Sequence, residues 1–363
     1  MQSREDLIEM LIHKYERYIA PFMFVVGFIF DTLTLKRIDV WFDHFILIGY
    51  LLLAGIGISI VNAYEAGHLR FRPWDWVVPF MPVVVQFGFG GLFSAFVIFY
   101  TKSGVIATSW IFLLMLCVLL IGNEHFRKHY QHLTFQLSIF FVVLFSYTIF
   151  ALPLITKQIG TKMFLLSGIA SLGLLGLFLL LLSRITPLIK ESYRSLGMSV
   201  GIIYFVFHLC YFTNIIPPIP LSLKESGVYH AVIRQDNGAY RVMFESPLWY
   251  ASFRKTNSTY HWHEGESIYF FSSIFAPTQL NINIFHHWFY YDTIKNKWIS
   301  KAEVSIPIIG GRDGGYRGYS FITSGKPGKW RVDVVTAENQ VVGRETFTVV
   351  ETDKRVELET GIE

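Results

Sequence analysis

Only two cysteines stand in 363 residues, and charged side chains make up only 16% of the chain. Cys117 and Cys210 both fall within long apolar runs. Neither is placed for a disulfide in an exported domain or for a zinc cluster. The chain also lacks a G-x-S-x-G elbow, a Walker loop, an H-E-x-x-H pair and a C-x-x-C pair. Those are the compact motifs that carry nucleophile, phosphate, zinc and redox chemistry. Intramembrane enzymes often use dispersed residues, so the absence lowers the prior for an enzyme without excluding one. No catalytic residue, metal or cofactor is assigned. No cleavable signal peptide is evident, because residues 1–18 mix both charge signs and offer no small-residue cleavage site.

What is present is apolar: 52% of the residues, concentrated rather than spread. Seven windows stand out, at 19–35, 41–63, 77–100, 104–122, 135–155, 163–182 and 198–216. Most reach the roughly 20 residues that a helix needs to cross a bilayer. The expected fold is therefore a bundle of about seven transmembrane helices over 19–216. An amphipathic segment over 1–18 precedes it, with Leu7, Ile8, Leu11, Ile12 and Tyr15 at helical spacing. Small residues recur at Gly88, Gly90, Gly91, Gly168, Ser171, Gly173 and Gly176, where helix backbones can approach closely in lipid.

Residues 224–363 hold 16 Lys+Arg and 16 Asp+Glu, so the whole excess of +4 lies in residues 1–223. A neutral C-terminal part gives no electrostatic footprint for nucleic acid. With the N-terminus inside, ten basic residues fall on the cytoplasmic side: Arg4, Lys14, Arg17, Arg70, Arg72, Arg127, Lys128, Arg184, Lys190 and Arg194. Five fall opposite: Lys36, Arg37, Lys102, Lys157 and Lys162. The asymmetry favours a cytoplasmic N-terminus and, after seven spans, a C-terminal domain outside the cytoplasm. The expected location is the inner (cytoplasmic) membrane, with the C-terminal domain periplasmic or extracellular.

Three prolines within Pro217-Pro218-Ile219-Pro220 end the last helix and make 217–226 a stiff connector. Beyond it the period becomes two. Trp330, Val332 and Val334 share one face, as do Ala302, Val304, Ile306 and Ile308, and Ile282, Ile284, His286, Trp288 and Tyr290. Turn signals such as Asn237-Gly238, Asn296 and Pro327-Gly328 divide these runs. About eight short strands over 227–350, in an immunoglobulin-like two-sheet sandwich, are expected, with a polar, frayed tail over 351–363.

SSIFAPTQLN (272–281), HHW (286–288), IIGGRDGGYRGYS (308–320), GKWRVDV (328–334) and VVGRETFTV (341–349) resemble the C-terminal domain of a bacterial membrane-protein family of unknown function. FDTLTLKRID (30–39), QFGFGGLFSAF (86–96), GNE (122–124) and IIPPIPLSL (215–223) resemble its helical part. The resemblance implies an integral envelope protein with an exported β-domain. It carries no catalytic residues over.

Several positions invite a sharper reading. Five glycines within 310–318 form either a tight corner or a concavity of backbone N–H groups able to hold an anion. Arg312, Asp313, Tyr316 and Arg317 would be its ligand-binding side chains. His286 and Trp288 point either into the core or at a ligand. His261 and His263, with Glu264 and His286 or His287, are the metal alternative. Asp31, Gln86, Glu124 and His208 are the notable polar groups of the spans. The preferred expectation is a non-enzymatic envelope protein whose partners are the lipid bilayer and an envelope protein or polymer. The rival is a carrier or a lipid- or polymer-modifying enzyme working inside the bundle. In the rival reading the four polar groups converge on one cavity; in the preferred one they disperse.

Overall fold

The computed structural model describes residues 28–29, 31–33, 35, 41–69, 74–103, 106–125, 132–216, 221–247, 256–276, 281–309, 315–354 and 356–363. The segment 1–18, most of the window 19–35 and the prolines at 217–220 lie outside the described residues.

Among the described residues from 41 onward, seven helices come first: α1 (Trp41–Glu65), the single turn α2 (Trp74–Val77), α3 (Met81–Ser103), α4 (Ile106–His125), α5 (Leu133–Thr156), α6 (Thr161–Leu182) and α7 (Leu188–Phe212). Five of them are long and apolar enough to cross a membrane: α1, α3, α5, α6 and α7. The apolar part of α4 is shorter, Ser109–Gly122. Helix α7 begins ten residues before the sequence window at 198. Its first turns carry Lys190, Glu191 and Arg194, which a hydropathy window rejects although a helix accepts them readily.

Large apolar side chains cover much of the outside of these helices, among them Phe45, Leu52, Leu114, Ile169, Leu177, Phe205 and Phe212. The inside is aromatic. Phe150 meets Phe96, Phe99 and Tyr100, and Phe145 stacks on Phe207 with centroids 4.6 Å apart. Glycine matters at one contact in particular: a Cβ on Gly88 would stand 2.9 Å from the Tyr50 carbonyl of α1, and one on Gly91 would meet the Tyr50 ring. Gly168 is similarly crowded by Tyr204 and Phe145, whereas Gly173 and Gly176 face open space.

The chain divides into two compact units. The second contains everything from Asn214 onward, together with the connecting segments Lys102–Ser109 and Thr156–Thr161. Among the described residues eleven strands build it: β1 (Ser222–Tyr229), β2 (Ala231–Arg234), β3 (Tyr240–Phe244), β4 (Thr259–Trp262), β5 (Ile268–Phe275), β6 (Asn281–Asp292), β7 (Lys297–Ile309), β8 (Tyr316–Ile322), β9 (Gly328–Thr336), β10 (Val341–Glu351) and β11 (Glu359–Ile362). They form three sheets, ordered β1-β5-β8, β4-β10-β9-β6-β7 and β11-β3-β2.

The main core lies between the first two sheets. Val228, Ile268, Phe270 and Ile274 meet Ile284, Trp288, Trp330, Val332, Val334 and Phe347 there. The period-two faces of β6 and β9 supply this core as their sequences require. The expectation of two sheets falls short by one layer. Tyr229, Tyr240, Val232, Val242 and Phe271 make a second cluster on the other face of β5. Strand β5 therefore buries alternate residues on both sides, which is why Ile268–Phe275 reads as a run without alternation.

Two boundaries also move. Strand β1 begins at Ser222, inside the span given to the connector. The tail is not frayed, because β11 pairs antiparallel with β3 from Glu359↔Phe244 to Ile362↔Arg241. Strand β3 offers an edge whose backbone groups need partners, and Tyr240 and Glu363 exchange both backbone bonds at 2.7 and 2.8 Å. One further pair, β4 with β10, is parallel.

Candidate functional site

The helical candidates do not meet in the contacts that are described. Asp31 is buried. Gln86 is half-buried on α3. The His208 ring nitrogen Nδ1 lies 2.8 Å from the Tyr204 carbonyl. A carbonyl can only accept, so Nδ1 carries the proton and donates. The ring sits among Phe164, Tyr204 and Phe145, the closest centroid being 4.1 Å away. Glu124 falls in the last turn of α4, and its side chain lies outside the described residues.

Most other polar groups of the helices bond their own backbone. Ser59, Asn62, Thr101, Ser138 and Ser167 each donate to the carbonyl four residues earlier. Links between helices include Asn62 to Gln136 at 3.3 Å, Thr134 to Ser195 at 3.2 Å, Tyr64 to Asp75 at 2.8 Å, and Ser167 and Thr148 exchanging side chain-to-carbonyl bonds at 3.0 and 3.1 Å.

In the β unit, His286 and Trp288 point inward and are fully buried. His286 lies 2.8 Å from the Ser272 hydroxyl through Nε2 and 2.9 Å from the Ser320 hydroxyl through Nδ1. Trp288 donates its indole N–H to the same Ser320 oxygen at 2.9 Å. Burial pushes the His286 imidazole down to about 3, so it is neutral and serves as a satisfied core group.

Arg312 and Asp313 lie outside the described residues. Of the rest of that loop, Gly315 has φ +81°, and a Cβ there would stand 2.6 Å from the Ser273 hydroxyl. This is a conformational demand of the kind that only glycine meets without strain. Tyr316 is half-buried against the main core, and the Arg317 carbonyl accepts from the Tyr240 hydroxyl at 3.4 Å.

Histidines and carboxylates do gather, but not where the metal alternative put them. His230 follows β1, Glu245 follows β3, His261 lies on β4, and Glu266 lies in the turn before β5. Nε2 of His230 lies 3.1 Å from Glu245 Oε1, and Nδ1 lies 3.4 Å from Glu266 Oε1. Glu245 Oε2 is 2.6 Å from Nδ1 of His261, and Oε1 accepts the His261 backbone N–H at 2.7 Å. The His230 ring stacks on Tyr260 at 4.2 Å, nearly parallel. Burial raises the Glu245 carboxyl, but the bonds from His230 and His261 outweigh it and hold it below its ordinary range. His263 contributes its backbone: its N–H donates to the Glu266 carboxylate at 3.3 Å and its carbonyl accepts the Glu266 N–H at 3.0 Å. Among the described residues, no three His, Cys, Asp or Glu side chains are arranged to hold a metal ion. Sequence reasoning missed this network because its members are spread over 36 residues with no common spacing. The one available signal is Glu245 following the apolar strand Tyr240–Phe244, since a carboxylate among apolar neighbours needs partners.

A second feature is the outer face of the five-stranded sheet. The guanidinium of Arg331 lies 4.5 Å from the Phe289 ring centroid and 4.8 Å from that of Trp298. Tyr291 crosses Trp298 edge-on at 5.1 Å. Beside them Asp333 receives Arg344 bidentately at 2.6 and 2.9 Å, and His287 faces Glu303 at 3.4 Å. The rings are half-exposed. Half-exposed rings interleaved with hydrogen-bonding groups suit a ligand that is apolar on one face and polar at its rim.

A family described as a protein of unknown function, DUF2914, matches residues 281–349. The match runs from β6 to β10 and leaves out β1 to β5, which complete the core. No curated protein matches this chain. Among solved structures, the Pseudomonas fluorescens alkylpurine DNA glycosylase AlkC bound to DNA containing an abasic site analog is similar over 87% of this chain and 100% of its own. That similarity has 8% identity and a TM-score of 0.23, too low to carry any argument about fold or function.

Proposed function

We propose that this is an integral protein of a cell envelope, in which the helical unit anchors a β unit that binds an envelope polymer outside the cytoplasm. The observation that carries the reading is the commitment of polar side chains of the helical unit to carbonyls of their own helices. Five hydroxyl or amide side chains are committed to carbonyls of their own helices. A carrier or an intramembrane enzyme needs such groups gathered on a path; an anchor does not. The apolar outer surface of the helices supports a lipid environment.

We assign the binding face to Phe289, Tyr291, Trp298 and Arg331. A sugar chain offers C–H faces that lie on aromatic rings and hydroxyls that reach the flanking polar groups. The test is co-sedimentation of the detergent-solubilised full-length protein with insoluble cell-wall glycan. Trp298→Ala should weaken binding about tenfold, equivalent to ~1.4 kcal/mol, with an unchanged melting profile. Equal sedimentation of the wild type and the variant would remove the glycan assignment.

A further inference from the structure

We infer that the His230–Glu245–His261–Glu266 network is a proton-controlled clasp, closed while His230 is an imidazolium and loosened when it loses its proton. The geometry behind this is specific. Both ring nitrogens of His230 face carboxylate oxygens, at 3.1 and 3.4 Å. A neutral imidazole carries one N–H and one lone pair. It could satisfy only one of these carboxylates, and its lone pair would point at the other. The imidazolium satisfies both. The side chain of His230 is 4% exposed, that of Glu245 9% and that of Glu266 32%, so little water reaches the imidazole itself to replace a lost bond or screen a lost charge there. The Tyr260 ring lies flat on His230 at 4.2 Å, which also favours a cation over a neutral ring.

The groups facing His230 among the described residues are Glu245 from the segment after β3, Glu266 from the β4–β5 turn, and Tyr260 from β4. His261 adds its charge through Glu245, and Tyr269 of β5 lies beyond Tyr260. The clasp therefore ties together four places in the β unit: the β1–β2 corner, the end of β3, strand β4 and the β4–β5 turn. Strand β3 belongs to the small β11-β3-β2 sheet and β4 to the edge of the five-stranded sheet. Opening would loosen the small sheet at that edge while leaving the Trp288–Trp330 core in place. The clasp also has an acid limit. Glu245 is held below the ordinary carboxyl range, so its contribution is present above that range and is lost as pH falls through its lowered value. The device is thus fastened at intermediate pH, and the alkaline side is the one set by His230. A part that faces the outside of a cell would meet such changes in the medium directly.

Hydrogen exchange on the full-length protein in detergent tests this, with protection corrected for the intrinsic rate at each pH. Peptides covering 228–247 and 256–266 are compared between about pH 6 and about pH 9, either side of the ordinary imidazole range. Their protection should fall with rising pH by up to ~tenfold per pH unit once one proton is released on opening, while peptides from β6 and β9 hold theirs. His230→Gln should abolish the fall. Glu266→Gln, at a partly exposed position, removes one of the two carboxylates of the closed state and should end the fall at lower pH, making it smaller. His261→Gln should leave the alkaline fall in place. Superimposable profiles for the wild type and Glu266→Gln would overturn the clasp, even if His230→Gln fails to fold. So would disappearance of the fall in His261→Gln, which would assign it to His261.

Discussion

The helical unit and the β unit solve the same problem, polar groups away from water, in opposite ways. In the helical unit a hydroxyl or amide turns back onto its own helix, as Ser59, Asn62, Thr101, Ser138 and Ser167 do. In the β unit the groups find each other across strands. His286, Ser272, Ser320 and Trp288 form one network; His230, Glu245, His261 and Glu266 form another; Arg331, Asp333 and Arg344 form a third. A helix offers each hydroxyl a carbonyl one turn earlier, so no partner element is needed. A strand has already committed its backbone to the ladder, so its polar side chains must be satisfied by side chains of other strands. The helical unit should therefore be tolerant of polar substitution and the β unit intolerant.

The largest test of that contrast is Trp288→Ala. It removes a fully buried ring and the N–H bond to Ser320, and should cost ~3–5 kcal/mol of the β unit's stability. Near-ultraviolet circular dichroism melts of the full-length protein measure it. A loss below about 1 kcal/mol would mean that the core is not cooperative in the way its packing implies.

Next comes acid. His286 is held near 3 by burial, well under its ordinary 6.5. The unfolded chain thus binds a proton that the folded one refuses, and stability falls as pH drops below the ordinary histidine range. The slope approaches ~1.4 kcal/mol per pH unit. Thermal melts of the wild type should show that slope, and His286→Gln should flatten it. An equal slope in both proteins would place the titrating group elsewhere.

Gly315→Ala should cost ~1–2 kcal/mol through its left-handed backbone, with Ser273 crowding the new Cβ. Arg317→Ala, on the same strand end, should cost under about 0.5 kcal/mol. Denaturant titration of the two variants separates a conformational corner from a charge-dependent one. A comparably small effect is expected in the helices. Asn62→Leu removes the bond to Gln136 and should cost only ~0.6 kcal/mol, which a double-mutant cycle with Gln136→Leu can resolve.

How much of this is legible in the sequence depends on whether the signal is local. The helix windows from 41 to 182 coincide with helices because hydropathy is a property of each residue in turn. The start of α7 is hidden because charged residues open it. In the β unit, the inward faces of β6 and β9 are written in their alternation and recur in the core. The third sheet is not, since the short polar strand Glu359–Ile362 is recruited by backbone pairing alone and strand β5 loses its alternation by being buried twice. The inward placement of His286 and Trp288 follows from the same period. The His230–Glu245 network has no local signature at all, because the fold gathers its members from separate turns.

The claim on which the rest depends is that the helices cross a membrane and leave the β unit outside. Reporter fusions measure this directly, with an export-dependent enzyme and a cytoplasm-dependent one each placed after Lys128 and after Glu351. The account predicts a cytoplasmic signal at Lys128 and an exported signal at Glu351, following the ten-to-five distribution of basic residues. A cytoplasmic signal at Glu351 would contradict it.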